Sequence, residues 1–161
     1  MEKKIDYNIT GATGEFFVAA ELSRRGFIAT LTLKNTPLVD VIATNFETGI
    51  SLNIQVKTRS ERNKQGWILS DKVEKETVIK NHYFIFVNLE DKKNLPEYYI
   101  IPADVFAKYQ QQKHKKWLSG VGKSGVQRKD SSLRNFKPDK EDGSFADMYK
   151  NNWSLLTDFL N

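Results

Sequence analysis

The strictest pattern in this chain is the alternation of apolar and polar residues over residues 50–58. The apolar residues are Ile50, Leu52, Ile54 and Val56, and the polar ones are Ser51, Asn53, Gln55 and Lys57. Successive side chains of a β-strand point to opposite faces, so this run predicts a strand with one buried and one polar face. Gln55 and Lys57 are expected to project together from the polar face. A half-solvated strand explains the same pattern without any functional role.

The segments around this strand predict the order of helices and strands. The stretch from about Gly14 to Arg25 predicts a helix closed by Gly26. Strands are predicted over 27–33, 38–44, 82–89 and 98–102, weak helical character over 71–81, and helices over 103–117 and 148–160. The first three strands indicate antiparallel hairpins, and a helix between two later strands permits a parallel pairing. The order predicts an α/β (α+β) fold with a mixed β-sheet flanked by helices.

Length, apolar runs and cysteine content bound the class of protein. We expect one domain over residues 1–161, a usual size for a single core. No apolar run approaches the roughly 20 residues that span a bilayer, and the start MEKKIDYNIT lacks an apolar signal core. We therefore expect a cytoplasmic protein outside membranes. With no cysteine, thiolate metal sites are excluded, and a bound metal is expected to be a hard ion with oxygen ligands.

Two carboxylates stand where the patterns favour apolar side chains. Glu15 falls inside the apolar arc of the first predicted helix, although a place in the first turn would suit its charge equally well. Asp40 shares its predicted strand face with Leu38 and Ile42. Burying an unpaired ion costs several kcal/mol, so Asp40 should have a cation beside it. A neighbouring Lys or Arg and a bound metal ion both meet that need.

Basic residues indicate where a nucleic acid could bind. The net charge of +5 favours contact with phosphates, although many proteins that never bind nucleic acid share it. The candidate nucleic-acid contacts are Arg59, Arg62, Lys64, Trp67 and Lys123. The basic run after the third strand is equally compatible with a solvated surface. His82 opens a predicted buried strand and is expected to be structural.

Three short motifs follow one another along the chain: GATGE on the first helix, Asp40 within LVDV, and QVK at the end of the third strand. In this order they resemble the motifs of the PD-(D/E)XK nuclease superfamily. The resemblance covers about residues 11–102, which leaves 103–161 as a C-terminal helical and loop extension. It implies a restriction-endonuclease-like fold of order αβββαββα plus a C-terminal helix. It also implies metal-dependent cleavage of phosphodiester bonds in DNA.

The resemblance extends to individual residues. Asp40 is similar to the metal-binding aspartate of the family, and Lys57 to the lysine that orients the attacking water or stabilises phosphate charge. Glu15 resembles the helix-borne carboxylate that Holliday-junction-resolvase-like members add to the metal site. Gln55 stands where the motif usually has Asp or Glu, and its amide oxygen can bind magnesium but brings no charge. Val56 would contribute only its backbone carbonyl.

The resemblance therefore implies a magnesium site, with manganese as an alternative ion, formed by Glu15, Asp40, Gln55 and the Val56 carbonyl. The implied partner is nucleic acid, with DNA expected, and similar nucleases that cut two strands act as homodimers. Gln55 leaves a second interpretation open. In that interpretation the chain is a catalytically silent nuclease-like module that binds nucleic acid or another protein.

Overall fold

A computed structural model describes residues 6–33, 36–60, 63–75, 77–90 and 93–157. The strands are β1 (Phe27–Leu31), β2 (Val41–Asn45), β3 (Ser51–Arg59), β4 (Trp67–Ser70), β5 (His82–Asn88), β6 (Glu97–Pro102) and β7 (Leu133–Phe136). The helices are α1 (Tyr7–Ser23), α2 (Ala103–Leu118) and α3 (Gly143–Ala146), with 3-10 turns at Asp71–Glu74, Asp147–Tyr149 and Trp153–Leu156. In these ranges no helix is long and apolar enough to cross a membrane.

The main sheet has the order β1-β2-β3-β5-β6, and β4 pairs with β7 in a separate ribbon. The first three strands pair antiparallel, β3 and β5 pair parallel, and β6 returns antiparallel to β5. The predicted hairpins, the parallel pairing and the mixed sheet are therefore confirmed. Val41 lies opposite Ile54 between β2 and β3, and Gln55 lies opposite Phe84 between β3 and β5.

A separate apolar core lies on each face of the main sheet. The first core joins α1 to buried residues of the sheet, including Leu52, Ile54 and Val56 from the apolar face of β3. The second core joins α2 and the β4–β7 ribbon to the opposite face, including Phe84 and Phe86 of β5. Because Gln55 and Lys57 lie opposite these two phenylalanines in the register, they project from the face that carries the second core.

The segment between β3 and β5 differs from the prediction. The weakly helical residues 71–81 contain only one 3-10 turn, Asp71–Glu74, and the strand β4 precedes it. Its partner β7 lies in the polar segment 119–143, where no strand is predicted from the sequence. Only a long-range pairing forms this ribbon, since four residues of each segment bury few apolar side chains alone. The predicted bridging helix is therefore wrong.

The predicted closing helix over 148–160 is also wrong for the residues that the structure describes. The chain there forms two 3-10 turns separated by Asn151, which has a positive φ of 51°. The Asn151 N–H donates to the Tyr98 carbonyl at 2.7 Å, and its side-chain oxygen accepts from the Tyr98 N–H at 2.9 Å. These bonds to β6 replace the helical ones. Residues 158–160 of the prediction lie outside the described residues.

Helix α1 approaches β3 unusually closely at Gly14. The buried stripe of the helix is Thr10, Gly14, Val18 and Leu22, whereas Phe16 of the predicted apolar arc is 64% exposed. A Cβ atom added to Gly14 would lie 1.9 Å from the Thr58 hydroxyl oxygen, so only glycine fits this contact. Glu15 is the next residue. The close approach at Gly14 therefore sets how near Glu15 comes to β3.

We predict that Gly14→Ala destabilises the fold, because the added methyl group must displace the side chain of Thr58. The overpacking should lower the melting temperature by about 5 °C. Gly11→Ala is the matched control, since a Cβ atom there meets nothing within 4 Å. The control should be neutral or stabilising because alanine is the better helix former. Thermal unfolding followed by circular dichroism measures both, and equal effects would contradict the close approach.

Candidate active site

The strands β2 and β3 separate at Asp40, the residue before β2 begins. The Asp40 N–H still donates to the Ile54 carbonyl at 2.8 Å, as in a sheet. At the next step along β3, the Val56 N–H donates to Asp40 Oδ2 at 2.7 Å. A side-chain carboxylate thus takes the place of a backbone acceptor where the strands separate. This bond fixes the orientation of the Asp40 carboxylate through one of its two oxygens.

The backbone of Val56 faces the same opening in the sheet. Within a strand, the N–H and C=O of one residue point to the same neighbouring strand. The Val56 carbonyl therefore points to the side on which its N–H meets Asp40. Gln55 and Lys57, the residues on either side, project from the sheet face shared with Phe84. Residues 55–57 of β3 and the neighbouring Asp40 thus bring four of the predicted site groups to one end of the β2–β3 pairing.

Glu15 completes this group from helix α1. The helix begins at Tyr7, with Asp6 accepting a hydrogen bond from the Asn8 N–H at 2.7 Å. Glu15 is therefore more than two turns inside the helix, which excludes a first-turn role for its charge. Burial raises the pKa of the Glu15 carboxyl, the negative charge of Asp40 raises it further, and the positive charge of Lys57 opposes both. Glu15, Asp40 and Lys57 are thus electrostatic neighbours.

Lys57 is the cation that acts on Glu15, and Asp40 has no ion pair among the described residues. Within the described ranges, Asp40 forms no salt bridge to a Lys or Arg side chain, and its bond is to a backbone N–H. No three His, Cys, Asp or Glu side chains of the described residues form a metal-binding group. The oxygen donors here are two carboxylates, one amide and one carbonyl. These donor types match the hard oxygen ligands that magnesium prefers.

His82 holds the chain segment that leads to Asp40. Its Nε2 lies 3.0 Å from the Leu38 carbonyl and its Nδ1 lies 3.1 Å from the Thr77 hydroxyl. A carbonyl only accepts, so Nε2 carries the proton and Nδ1 accepts from Thr77. Burial lowers the pKa of His82, while the Leu38 carbonyl and the charge of Asp40 oppose that shift. Leu38 has a positive φ of 66°, a strained conformation for leucine that this hydrogen bond helps to hold.

A cavity of about 490 Å³ opens beside Gln55 and Lys57. We call it the first cleft; it is lined by Leu38, Gln55, Lys57, Ile68, Leu69, Ser70, Lys72, Val73, Lys75, Thr77, Val78, Ile79, His82, Phe84 and Ala103. Sequence reasoning found Gln55 and Lys57 through the period of β3. It did not find Lys72 and Lys75, because the turn that carries them follows the unpredicted strand β4. Of the predicted site residues, Gln55 and Lys57 line this cleft, whereas Glu15, Asp40 and Val56 are not among its lining residues.

Arg59 and Trp67 lie inside the protein, which corrects their prediction as nucleic-acid contacts. Their exposed fractions are 5% and 4%. The Arg59 guanidinium lies 4.4 Å from the centre of the Trp67 ring, and it donates to Asn88 at 2.8 Å and to Asp139 at 2.7 Å. A basic residue after a strand indicates surface charge, but these partners come from distant parts of the chain. Both side chains stabilise the second core and are closed to a nucleic acid.

The other predicted contacts have different outcomes. Lys64 and Lys123 are exposed, so they stay predictions. Lys64 follows β3 and lines a second cleft beside the β4–β7 ribbon. Lys123 lies in a turn after α2, where the Gly125 N–H donates to the Gly122 carbonyl at 2.9 Å. Arg62 lies outside the described residues.

The mixed sheet, its flanking helices and its opening at Asp40 define a restriction-endonuclease-like fold, as the motif resemblance implied. Among solved structures, the chain is similar to the bacterial homing endonuclease I-Ssp6803I, with a TM-score of 0.56 and 13% identity over 94% of this chain and 93% of that one. A Holliday junction resolvase, Hjc of Archaeoglobus fulgidus, is matched with a TM-score of 0.39 and 23% identity over 58% of this chain and 72% of that one. No protein-family model and no curated protein matches the chain.

We predict that Glu15→Gln stabilises the metal-free protein at neutral pH. The pKa of Glu15 lies above its ordinary value of 4.5, so the charged carboxylate disfavours the folded state as the pH rises. Removing the charge should raise the melting temperature by roughly 2 °C in EDTA. The gain should disappear below about pH 4.5, where Glu15 is protonated in both the folded and the unfolded protein. Calorimetry across the pH range measures it.

Glu21→Gln on the same helix is the matched control. Glu21 forms salt bridges with Arg24 and Arg25, so the same substitution there removes attractive contacts. The control should leave the melting temperature unchanged or lower it slightly. If Glu15→Gln is less stable than the parent in EDTA at neutral pH, the charged form of Glu15 is not disfavoured by burial and by the neighbouring Asp40, and the prediction is wrong.

Proposed function

We propose that this protein is an endonuclease that uses a divalent metal ion to hydrolyse phosphodiester bonds of DNA. The observation that carries the proposal is the convergence of Glu15, Asp40 and Lys57, since the charges of Asp40 and Lys57 both act on the pKa of Glu15. A carboxylate pair beside a lysine suits phosphodiester hydrolysis, in which negative charge develops on the phosphate. The likeness of the fold to a bacterial homing endonuclease supports the same reaction class.

The donor set fits magnesium, with manganese as an alternative. Glu15 and Asp40 would hold the ion through carboxylate oxygens, Gln55 through its amide oxygen and Val56 through its carbonyl. When bound, the ion supplies Lewis-acid stabilisation to a nonbridging phosphate oxygen. Within the described part of the chain, Asp40 has no salt bridge. A cation would offset the repulsion between Asp40 and Glu15, since like charges held together are costly. Gln55 brings no charge, so affinity should be weaker than with a third carboxylate.

Asp40, Lys57 and His82 have separate roles in the proposed reaction. Asp40 is held in one orientation by the Val56 N–H, which keeps a ligand oxygen in place before substrate arrives. Lys57 projects beside Gln55 into the first cleft, where its ammonium group can orient the attacking water and stabilise charge on the phosphate. His82 acts as a positioning residue through the Leu38 carbonyl. Direct attack by water needs no covalent intermediate on the protein.

We predict that Asp40→Asn lowers cleavage by about 100-fold or more, because it removes a ligand charge. Its amide oxygen can still accept from Val56, so the fold should be kept. Lys57→Ala should have a similar effect on cleavage. Cleavage is measured on labelled single-stranded, duplex and branched DNA with magnesium, manganese or EDTA. Glu47→Gln, an exposed acidic site in the turn between β2 and β3, is the control and should cut normally.

The same assay separates the nuclease from the catalytically silent module that Gln55 leaves open. Cutting that needs metal and is lost in Asp40→Asn supports the nuclease. DNA binding with no cutting under any metal supports the silent module and overturns the proposal. Equal cutting by the parent and both site variants would refute the assignment of Asp40 and Lys57.

We also predict that Gln55→Glu tightens magnesium binding, because a third carboxylate adds charge at the proposed ligand position. Isothermal titration calorimetry of the parent and the variant measures the affinity directly. Gln65→Glu is the matched control, since Gln65 is exposed before β4 and should leave the affinity unchanged. An unchanged or weaker affinity in Gln55→Glu would show that Gln55 is not a ligand.

A further inference from the structure

Two clefts meet at Ile68 on the β4–β7 ribbon. The first cleft contains Gln55 and Lys57 and borders the ribbon along β4. The second cleft has a volume of about 410 Å³ and borders the ribbon along β7. It is lined by Lys64, Gln65, Ile68, Leu133, Arg134, Asn135, Lys137 and Lys140. The ribbon therefore borders both clefts, and we call its outward-facing side, which carries Ile68 and Leu133, the ridge.

The charged residues of both clefts are all basic. They are Lys57, Lys72 and Lys75 in the first cleft and Lys64, Arg134, Lys137 and Lys140 in the second. Among the described lining residues neither cleft has a carboxylate, although the whole chain has 20 acidic residues against 25 lysines and arginines. Acidic and basic residues are thus segregated here. The ridge and its clefts form a surface complementary to a polyanion.

Two of the seven basic groups already have partners. Arg134 Nη2 donates to Glu74 at 2.9 Å, and Lys137 lies 3.5 Å from Glu141. Lys57 of the first cleft lies beside Glu15. Among the residues that the structure describes, Lys64, Lys140, Lys72 and Lys75 form no ion pair, so positive charge without a partner lies in both clefts. Positive charge remains on both sides of the ridge.

The outward side chains of the ribbon itself are uncharged, and Asn135, opposite Ile68 in the register, accepts a hydrogen bond from Lys113 Nζ at 2.8 Å. Alternation along β4 and β7 buries Trp67, Leu69 and Phe136 and turns Ile68 and Leu133 outward. Ile68 is 61% exposed and Leu133 is 66% exposed. Ser70 lies opposite Leu133 in the register and is also exposed. Exposed apolar side chains can contact thymine methyl groups, and a serine hydroxyl can bond to the edges of bases.

We propose that the β4–β7 ribbon enters the major groove of duplex DNA, with the lysines of its two clefts on the phosphates of the two strands. The major groove admits a two-stranded β-ribbon, and a phosphate backbone forms each of its walls. Positive charge on both sides of an uncharged ridge matches that arrangement. This inference rests on the proposed function and assigns its substrate as duplex DNA.

The position of the first cleft also orients the DNA. Gln55 and Lys57 line the same cleft as Lys72 and Lys75. The strand whose phosphates follow this cleft is therefore the one presented to the site, and the strand in the second cleft is its complement. A second copy of the chain is a poorer occupant of the ridge, because two such surfaces would bring like charges together.

The test is duplex binding measured by fluorescence anisotropy in EDTA over a series of salt concentrations. Lys64→Ala/Lys140→Ala should weaken duplex binding and lower the slope of log affinity against log salt by about 1.8, the loss of two phosphate contacts. Lys72→Ala/Lys75→Ala, in the first cleft, should weaken duplex binding and lower the slope by the same amount. Lys115→Ala/Lys116→Ala, at the exposed end of α2, is the matched control and should leave the slope unchanged.

Two further measurements test the groove. Ile68→Glu should weaken duplex binding more than any single lysine variant, and methyl green, a major-groove ligand, should compete where distamycin, a minor-groove ligand, does not. Slopes equal to the control, tighter binding of single strands than of duplex, or competition by distamycin alone would overturn the inference. So would sedimentation showing that Ile68→Glu converts a dimer to a monomer while duplex affinity is unchanged.

Working in EDTA separates this inference from the proposed function. A protein that cuts DNA but binds duplex independently of these lysines refutes the groove assignment alone. A protein that binds duplex through both clefts and never cuts refutes the nuclease alone.

Discussion

The hydrogen bond from the Val56 N–H to the Asp40 carboxylate joins the architecture of this protein to its chemistry. Where β2 leaves β3, a backbone donor loses its strand partner, and an unsatisfied buried donor is costly. Asp40 satisfies that donor and is itself oriented by it. The Val56 carbonyl faces the same opening. The β2–β3 pairing therefore ends at the place where the proposed metal ligands lie. Gln55 and Lys57 follow from the alternation of the strand.

The position of Glu15, the second carboxylate of the proposed site, depends on the contact of α1 with β3. Gly14 permits the helix to touch Thr58, and Glu15 then lies where burial, and after it the negative charge of Asp40, raises its pKa. Holding two carboxylates together lowers the stability of the metal-free fold, as is common where a site is organised for a charged ligand. His82 adds a further constraint by holding the strained backbone of Leu38.

The parts of the structure that sequence reasoning anticipated are those with local or motif signals. Period-2 alternation over 50–58 predicts β3 and its polar face, and the motif order predicts the fold around it. The β4–β7 ribbon has no such signal, because it pairs residues far apart in the chain. The burial of Arg59 and Trp67 also has no local signal, because it depends on contacts with the distant residues Asn88 and Phe136. Their prediction as surface contacts was therefore wrong. Long-range pairing thus determines both the second core and the basic clefts.

We propose that Glu15, Asp40, Gln55 and the Val56 carbonyl form one cation site. A crystal structure of the protein soaked with manganese, with an anomalous difference map at a wavelength sensitive to that ion, tests it most directly. We expect an anomalous peak within coordination distance of Asp40 and the Val56 carbonyl, with Glu15 bound directly or through a water molecule. A well-ordered site with no peak at these residues, or a manganese ion bound only elsewhere, would contradict it.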